Sequence, residues 1–259
     1  MKKIFYFSFV VFTILLAGCS TNVSPAQQNI LTNKTADNTE ILDVLQVDDE
    51  GNTKINTEIL SGILNEAAAS ELTEDEQAGI KFMLEEEKLA RDVYIKLFEK
   101  WNQQNFQNIS QSEATHINAV KNLAEKYGID IEFYNDEVGK YKNEELAKLF
   151  NDLVAEGNTS LINALEVGAL IEEIDIIDLD KYLNQTSNSD IELVYENLKS
   201  GSRNHLRSFV RTMNSQGQNY EPQKLGQTDY DEIINSETEK GGFRQGEQEN
   251  QKSGRGGQK

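Results

Sequence analysis

Apolar residues recur at steps of three and four through four long stretches in the middle of the chain. This spacing places them on one face of an α-helix, which can then pack against a core. The predicted long helices cover residues 73–101, 110–127, 160–183 and 190–214. No strand-like alternation of useful length occurs. The pattern therefore predicts an all-α fold.

Local signals support the ends of these helices. Thr73 and Glu76 form a capping-box pattern at the start of the first helix, where each side chain can satisfy a free backbone N–H group. A shorter helix is predicted to end at Gly157, between the second and third long helices. Four long amphipathic helices with one short extra helix predict a four-helix bundle.

The segments on either side of these helices are polar. Residues 19–62 are rich in Asn, Thr, Gln and Asp and predict a flexible tether, with brief local structure only in "TEILDVLQV" and "INTEILSGIL". Residues 220–234 are expected to lie against the domain as an extended arm, and residues 236–259 to form a disordered tail. The predicted helical domain thus spans residues 63–235.

The first 18 residues have the features of a lipoprotein signal peptide. Lys2 and Lys3 precede an apolar run, and small residues lie before Cys19 in "LAGC", which resembles the lipobox of bacterial lipoproteins. Cys19 is the only cysteine, so we expect a lipid anchor there and no disulfide or thiolate metal site. The protein is then expected at the cell membrane, facing outside the cytoplasm. The alternative is an ordinary secretion signal with an incidental cysteine.

The formal net charge of the chain is −19. Nucleic-acid binding is not expected, because contacts with phosphate groups need a basic surface. The acidity favours cations as partners, although solubility explains it equally well.

Ionisable side chains interrupt the apolar face of every long helix at one level. They are Glu87 in the first helix, Glu113 and His116 in the second, Glu172 in the third and His205 in the fourth. The set includes both histidines of the chain. Buried carboxylates repel one another unless cations neutralise them, so this shared level predicts metal binding. Oxygen and imidazole ligands suit iron or manganese, and a Glu-x-x-His pair on one helix can direct both side chains at one ion.

The stretches "EEEKLARDVY", "SEATH", "VGALIEEIDIIDL" and "GSRNHLRSF" resemble the ferritin-like superfamily of di-iron carboxylate proteins, and more specifically its DUF2202 family. The resemblance covers about residues 70–235. It implies a four-helix bundle with a centre of two Fe or Mn ions per chain. Neither haem nor a nucleotide is expected as a cofactor.

The resemblance also implies roles for individual residues. Glu87 and Glu172 would be terminal or bridging ligands, Glu113 a bridge, and His116 and His205 the nitrogen ligands. Tyr94, seven residues after Glu87, would hydrogen-bond a ligand carboxylate.

One position departs from the pattern of the superfamily. The expected glutamate three residues before His205 is replaced by Ser202, so this level supplies three carboxylates where the usual site has four. Glu86 or Glu173 would supply the missing one, since each lies within about half a turn of its helix face. Otherwise the site holds one metal, or two with an open, water-filled position.

Glu113 and the other glutamates also have non-metal interpretations. Ser110 and Glu113 form a second capping-box pattern, so Glu113 could only close the start of its helix. Glu172 could pair with Arg203 or Arg207 in a metal-free ion network. Glu85 is expected on a solvated face.

His205 and two aromatic residues have alternatives of their own. Gly201 and Ser202 could interrupt the fourth helix, which would leave the His205 ring as packing only. Trp101 is expected to be plain core, and Tyr94 has core packing as its alternative.

These observations predict a lipid-anchored ferritin-like protein with di-metal oxidoreductase activity, either Fe(II) oxidation with oxygen or peroxide, or peroxide removal. Its electron donor is an unknown partner, because no further cysteine is present for a rubredoxin-like centre. The alternative is a non-enzymatic helical bundle at the cell surface that binds a protein partner or sequesters metal.

Overall fold

The computed structural model describes residues 44–48 and 53–240, together with the backbone of residues 41–42 and 243–244. The predicted signal peptide, Cys19 and most of the predicted polar tail lie outside these residues. Within the described part of the chain, no helix is long and apolar enough to cross a membrane.

The described residues are mostly helical, as the apolar pattern predicted. The helices are α1 (Thr57–Leu64), α2 (Glu74–Trp101), α3 (Gln104–Lys126), α4 (Glu144–Gly157), α5 (Leu161–Leu183), α6 (Ser189–Ser215) and α7 (Gln227–Asn235). The predicted short helix before Gly157 is α4. The all-α fold class is therefore confirmed.

The four longest helices pack as two pairs. α2 lies along α3 and α5 lies along α6, and the pairs meet through contacts of α2 with α5 and of α3 with α6. α3 and α5 are therefore diagonal to each other, as are α2 and α6. α4 packs against α2 and α5.

The apolar core consists of two clusters with a buried polar level between them. The first cluster contains Leu89, Ile109 and Phe209 with their neighbours. The second cluster contains Met83 and Val120 with their neighbours. Along each of the four longest helices, the chain passes from one cluster to the other through buried polar residues. The interruption in the sequence pattern thus corresponds to a physical layer of the fold.

The segment before the long helices is ordered and belongs to the core. β2 (Leu45–Val47) pairs antiparallel with β3 (Thr53–Ile55), and α1 follows directly. Leu45, Ile55 and Leu60 are fully buried, and β3 contacts α3 and α6. The brief local structure expected in "TEILDVLQV" and "INTEILSGIL" is present as β2 and α1, but this segment is not a flexible tether, because its aliphatic side chains complete the second cluster.

Two helix boundaries decide between the alternatives for the site. α3 begins at Gln104, so Ser110 and Glu113 lie inside the helix and the capping interpretation of Glu113 is wrong. α6 runs unbroken through Gly201 and Ser202, so the predicted interruption before His205 does not occur. The capping box of Thr73 and Glu76 at the start of α2 is present as predicted.

The C-terminal segment is also more ordered than predicted. Tyr230 and Ile233 of α7 are buried against the first cluster, where the sequence favoured an extended arm. Glu239, in the predicted tail, pairs with Arg203 and Arg207 of α6. β1 (Ile41–Leu42) pairs antiparallel with β4 (Phe243–Arg244).

Candidate metal centre

The five predicted ligands meet in the buried polar level. They are Glu87 of α2, Glu113 and His116 of α3, Glu172 of α5 and His205 of α6, and each is at most 2% exposed. Core residues lie before and after them on the same helix faces, and packing of those apolar faces turns the five polar side chains inward. The structure therefore brings together all five residues selected from the sequence.

The five residues form two groups of three that share Glu113. One ligand atom from each of Glu87, Glu113 and His116 lies within 4.8 Å of the others, and the same holds for Glu113, Glu172 and His205. Each group contains two carboxylates and one imidazole. We call them the first triad and the second triad.

The two oxygens of Glu113 face different histidines. Glu113 Oε2 lies 2.9 Å from His116 Nδ1, and Glu113 Oε1 lies 2.9 Å from His205 Nδ1. His116 Nδ1 is also 3.0 Å from Glu87 Oε2, and His205 Nδ1 is 3.5 Å from Glu172 Oε2. Glu113 therefore spans the two triads, one oxygen to each.

Burial and mutual repulsion perturb the titration of the triads. Burial raises the pKa of Glu87 to about 8, against the charge of His116, and it also raises the pKa of Glu172. Burial would lower the pKa of His205, but the carboxylates of Glu113 and Glu172 raise it to about 9. Burial alone would raise the pKa of Glu113, yet the two histidines bring it below its usual range. Without a cation, the level holds protons that offset its negative charge.

Several buried atoms of the triads have no hydrogen-bond partner among the described residues. These atoms are Glu87 Oε1 and His116 Nε2, and Glu113 Oε1 and His205 Nδ1 face no close partner other than each other, 2.9 Å apart. Leaving such atoms unpaired inside a protein is costly, so a ligand that accepts their lone pairs would stabilise the site. Carboxylate oxygens and an imidazole nitrogen that converge in this way fit a divalent iron or manganese ion.

The hydrogen bonds of His205 orient its ring toward the second triad. Ser112 donates its only hydroxyl proton to the carbonyl oxygen of Thr53, so Ser112 Oγ accepts from His205 Nε2 at 2.9 Å. Thr53 Oγ1 lies 2.5 Å from the same nitrogen. A neutral His205 therefore carries its proton on Nε2 and presents the lone pair of Nδ1 to Glu113 and Glu172.

Two further contacts hold the triads in place. The hydroxyl of Tyr94 donates to Glu172 Oε1 at 2.5 Å, which is the contact predicted for this tyrosine. A Cβ atom at Gly201 would lie 2.7 Å from Cε1 and Nε2 of His116. Glycine is therefore required at this point of α6 for close packing of the His116 ring, where the sequence had been interpreted as a helix stop.

Neither glutamate proposed to replace the missing carboxylate joins a triad. Glu173 accepts hydrogen bonds from the Tyr220 hydroxyl and from the backbone N–H groups of Gln223, Lys224 and Leu225, so its prediction as a ligand is wrong. Glu86 is buried beside Asp175, and neither of these two carboxylates is part of a triad.

Asp175 was not predicted, although its spacing contained a signal. It follows Glu172 by three residues, the spacing that joins Glu113 to His116. Asp175 is 5% exposed, and Ser202 donates a hydrogen bond to its Oδ2. Ser112 and Thr53 were also missed. Thr53 has no signal in the sequence, because it lies far from the helices in a segment that reads as a tether.

The contacts of the acidic, basic and aromatic residues decide the remaining alternatives. Arg203 and Arg207 pair with Glu239, so they do not form the predicted ion network with Glu172. The expectation that Glu85 lies on a solvated face is wrong. Glu85 is buried and accepts hydrogen bonds from the backbone N–H groups of Lys142 and Asn143, just before α4 begins. Trp101 packs against the first cluster and donates from its indole to Gly157.

Comparison with known proteins places this chain in a family. Residues 76–237 match the family described as "Uncharacterized protein domain (DUF2202)". The chain is 51% identical over 170 residues to the uncharacterized protein MJ0754 of Methanocaldococcus jannaschii, a match that covers 66% of this chain and 92% of that protein. A crystal structure described as hypothetical protein MJ0754 from Methanococcus jannaschii matches with 50% identity and a TM-score of 0.65, covering 67% of this chain and 99% of the other. This chain therefore belongs to the DUF2202 family.

Proposed function

We propose that the protein is a ferritin-like four-helix bundle that binds two iron or manganese ions, one at each triad. The observation that carries the proposal is the position of Glu113, whose two oxygens each lie 2.9 Å from a different histidine. A carboxylate that faces two imidazole-containing groups is suited to bridge two cations. The pairing of α2 with α3 and of α5 with α6 supports the ferritin-like architecture.

The chain's own residues would define the two positions. Glu87 and His116 would hold the first ion, Glu172 and His205 the second, and Glu113 would bind both. Ser112 and Thr53 keep the Nδ1 lone pair of His205 directed at its position, and Tyr94 fixes one oxygen of Glu172. The apolar clusters on both sides exclude water, which strengthens the attraction between the carboxylates and a cation.

Redox chemistry is the activity that this ligand set supports best. Bound iron or manganese would supply electron transfer to oxygen or peroxide, which is why we propose Fe(II) oxidation or peroxide removal. Peroxide removal would draw electrons from Fe(II) or from a partner protein. The lipid anchor at Cys19 and a location outside the cytoplasm remain part of the proposal, on the strength of the lipobox-like "LAGC".

The test is metal analysis of the full-length protein, purified in detergent and loaded anaerobically with Fe(II) or Mn(II). Wild type should bind two ions per chain. Glu113→Gln should lose both, because it removes the shared carboxylate, and Glu172→Gln should lose one. Glu173→Gln is the matched control, since it changes the neighbouring buried glutamate, which faces away from the triads.

The outcome separates the two function classes. Two ions that depend on Glu113 and not on Glu173 would support the metal centre. A folded wild type that binds no metal would overturn the proposal and leave a helical scaffold that binds a protein partner.

A further inference from the structure

Ser202 and Asp175 face each other one helical turn from the second triad. Ser202 lies three residues before His205 on α6, and Asp175 lies three residues after Glu172 on α5. The Ser202 hydroxyl donates to Asp175 Oδ2. Both side chains are buried, at 1% and 5% exposure. A carboxylate from α5 therefore lies beside the place on α6 where the sequence lacks one.

The second oxygen of Asp175, Oδ1, is buried and has no hydrogen-bond partner in the described part of the chain. Burial raises the pKa of Asp175, and so do the charges of Glu87, Glu172 and Glu113, which are the carboxylates of both triads. An unpaired carboxylate among three others is unfavourable in a buried site unless a cation neutralises the group.

The position of Asp175 differs from that of Glu86, a second buried carboxylate nearby. Asp175 accepts a hydrogen bond from Ser202 of α6, whereas the charges that raise the pKa of Glu86, after burial, belong to Asp175, Asp178 and Glu87 on α5 and α2. The charges of members of both triads raise the pKa of Asp175. Asp175 also lies on α5, the helix diagonal to the α3 helix that carries Glu113. Asp175 therefore reaches the site from α5, beside Ser202 of α6.

We propose that Asp175 is the fourth carboxylate ligand of the centre, supplied by α5 in place of the glutamate that Ser202 replaces on α6. Ser202 is a positioning residue that holds Asp175 Oδ2 and leaves Asp175 Oδ1 for the ions. This inference rests on the proposed metal-binding function.

The experiment is a Mn(II) titration of the full-length protein, with the two binding constants measured by calorimetry. Asp175→Asn should bind one ion with wild-type affinity and the other ion at least ten times more weakly. Ser202→Ala keeps the charge of the site and should weaken the same ion about tenfold, the usual effect of losing a hydrogen bond to a metal ligand. Glu86→Gln is the matched control, a nearby buried carboxylate, and should bind both ions as wild type does.

The exchange variant Asp175→Ser/Ser202→Glu moves the carboxylate from α5 to α6 and should restore the second ion. Electron paramagnetic resonance of the Mn(II)-loaded proteins gives an independent readout, since two adjacent ions couple and a single ion does not. Wild-type affinities in both Asp175→Asn and Ser202→Ala would overturn the role of Asp175 while the metal centre stands. A wild type without metal would overturn the proposed function itself.

Discussion

At the scale of single residues, Glu113 and His205 each use two atoms of the side chain to contact two different groups. Glu113 directs one oxygen to each histidine, and His205 directs Nδ1 to the triad while Nε2 is held by Ser112 and Thr53. Such residues tolerate little substitution, because a change that keeps one contact loses the other. Gly201 contributes by having no side chain, because the His116 ring occupies the space where a Cβ atom would lie.

Two glycine substitutions test that space directly. Gly201→Ala should lower the free energy of unfolding by about 1–3 kcal/mol, because the new Cβ would displace the His116 ring. Gly62→Ala, in α1, meets nothing within 4 Å and should raise it by about 0.5–1 kcal/mol through helix propensity. Urea unfolding of the metal-free proteins measures both values. Equal stabilisation by the two changes would contradict the close packing of His116.

At the scale of elements, the four long helices and the level of their polar residues were predictable from the sequence. The period of the apolar residues is strong over more than twenty positions, and Glu87, Glu113, Glu172 and both histidines stand out against it. The start of α3 was not predictable, because Gln103 makes no side-chain cap and "SQSE" imitates a capping box. The hairpin of β2 and β3 was missed because its short strands are ordered by contacts with helices distant in sequence.

That hairpin contacts a proposed metal ligand, His205, which leads to a prediction. Thr53→Val keeps the shape of the side chain but removes the hydroxyl at 2.5 Å from His205 Nε2. We expect the ion at the second triad to bind about ten times more weakly, with the first ion unaffected. Calorimetric Mn(II) titration measures this, and Thr57→Val, on the partly exposed start of α1, is the control. Unchanged affinity in Thr53→Val would mean that the hairpin only covers the site.

At the scale of the whole molecule, burying several acidic side chains at one level is unfavourable, and the proposed cations would offset that cost. The chain carries a formal net charge of −19, and the triads with Glu86 and Asp175 place part of that charge in the core. The roles of Glu86, Glu173 and Asp175 could not be predicted from one sequence. Neighbouring residues on a helix point in different directions, and only the packing of the helices decides which of them faces the site. Glu172 and Glu173 are neighbours, yet one faces the triads and the other the C-terminal segment.

The buried ionisable side chains predict an unusual dependence of stability on pH. Glu87 and His205 have pKa values raised to about 8 and about 9, from ordinary values of 4.5 and 6.5. The folded metal-free protein therefore holds more protons than the unfolded chain between about pH 6.5 and 9, so its stability should fall as pH rises through that range. Bound Mn(II) replaces these protons, so its stabilising effect should grow with pH.

Thermal unfolding at several pH values, with chelator or with Mn(II), measures this effect. Glu87→Gln cannot release a proton at position 87, so its metal-free melting temperature should depend less on pH. If the melting temperature of the metal-free protein rose from about pH 6.5 to 9, this would contradict the claim that the folded site binds more protons than the unfolded chain.

The central claim is that two ions lie on either side of Glu113. Crystals of the protein grown with Mn(II), with data collected at the manganese absorption edge, test it most directly. We predict two anomalous peaks, one beside Glu87 and His116 and one beside Glu172 and His205, with Glu113 in contact with both. A single peak, or none at these five residues in a well-ordered crystal, would contradict it.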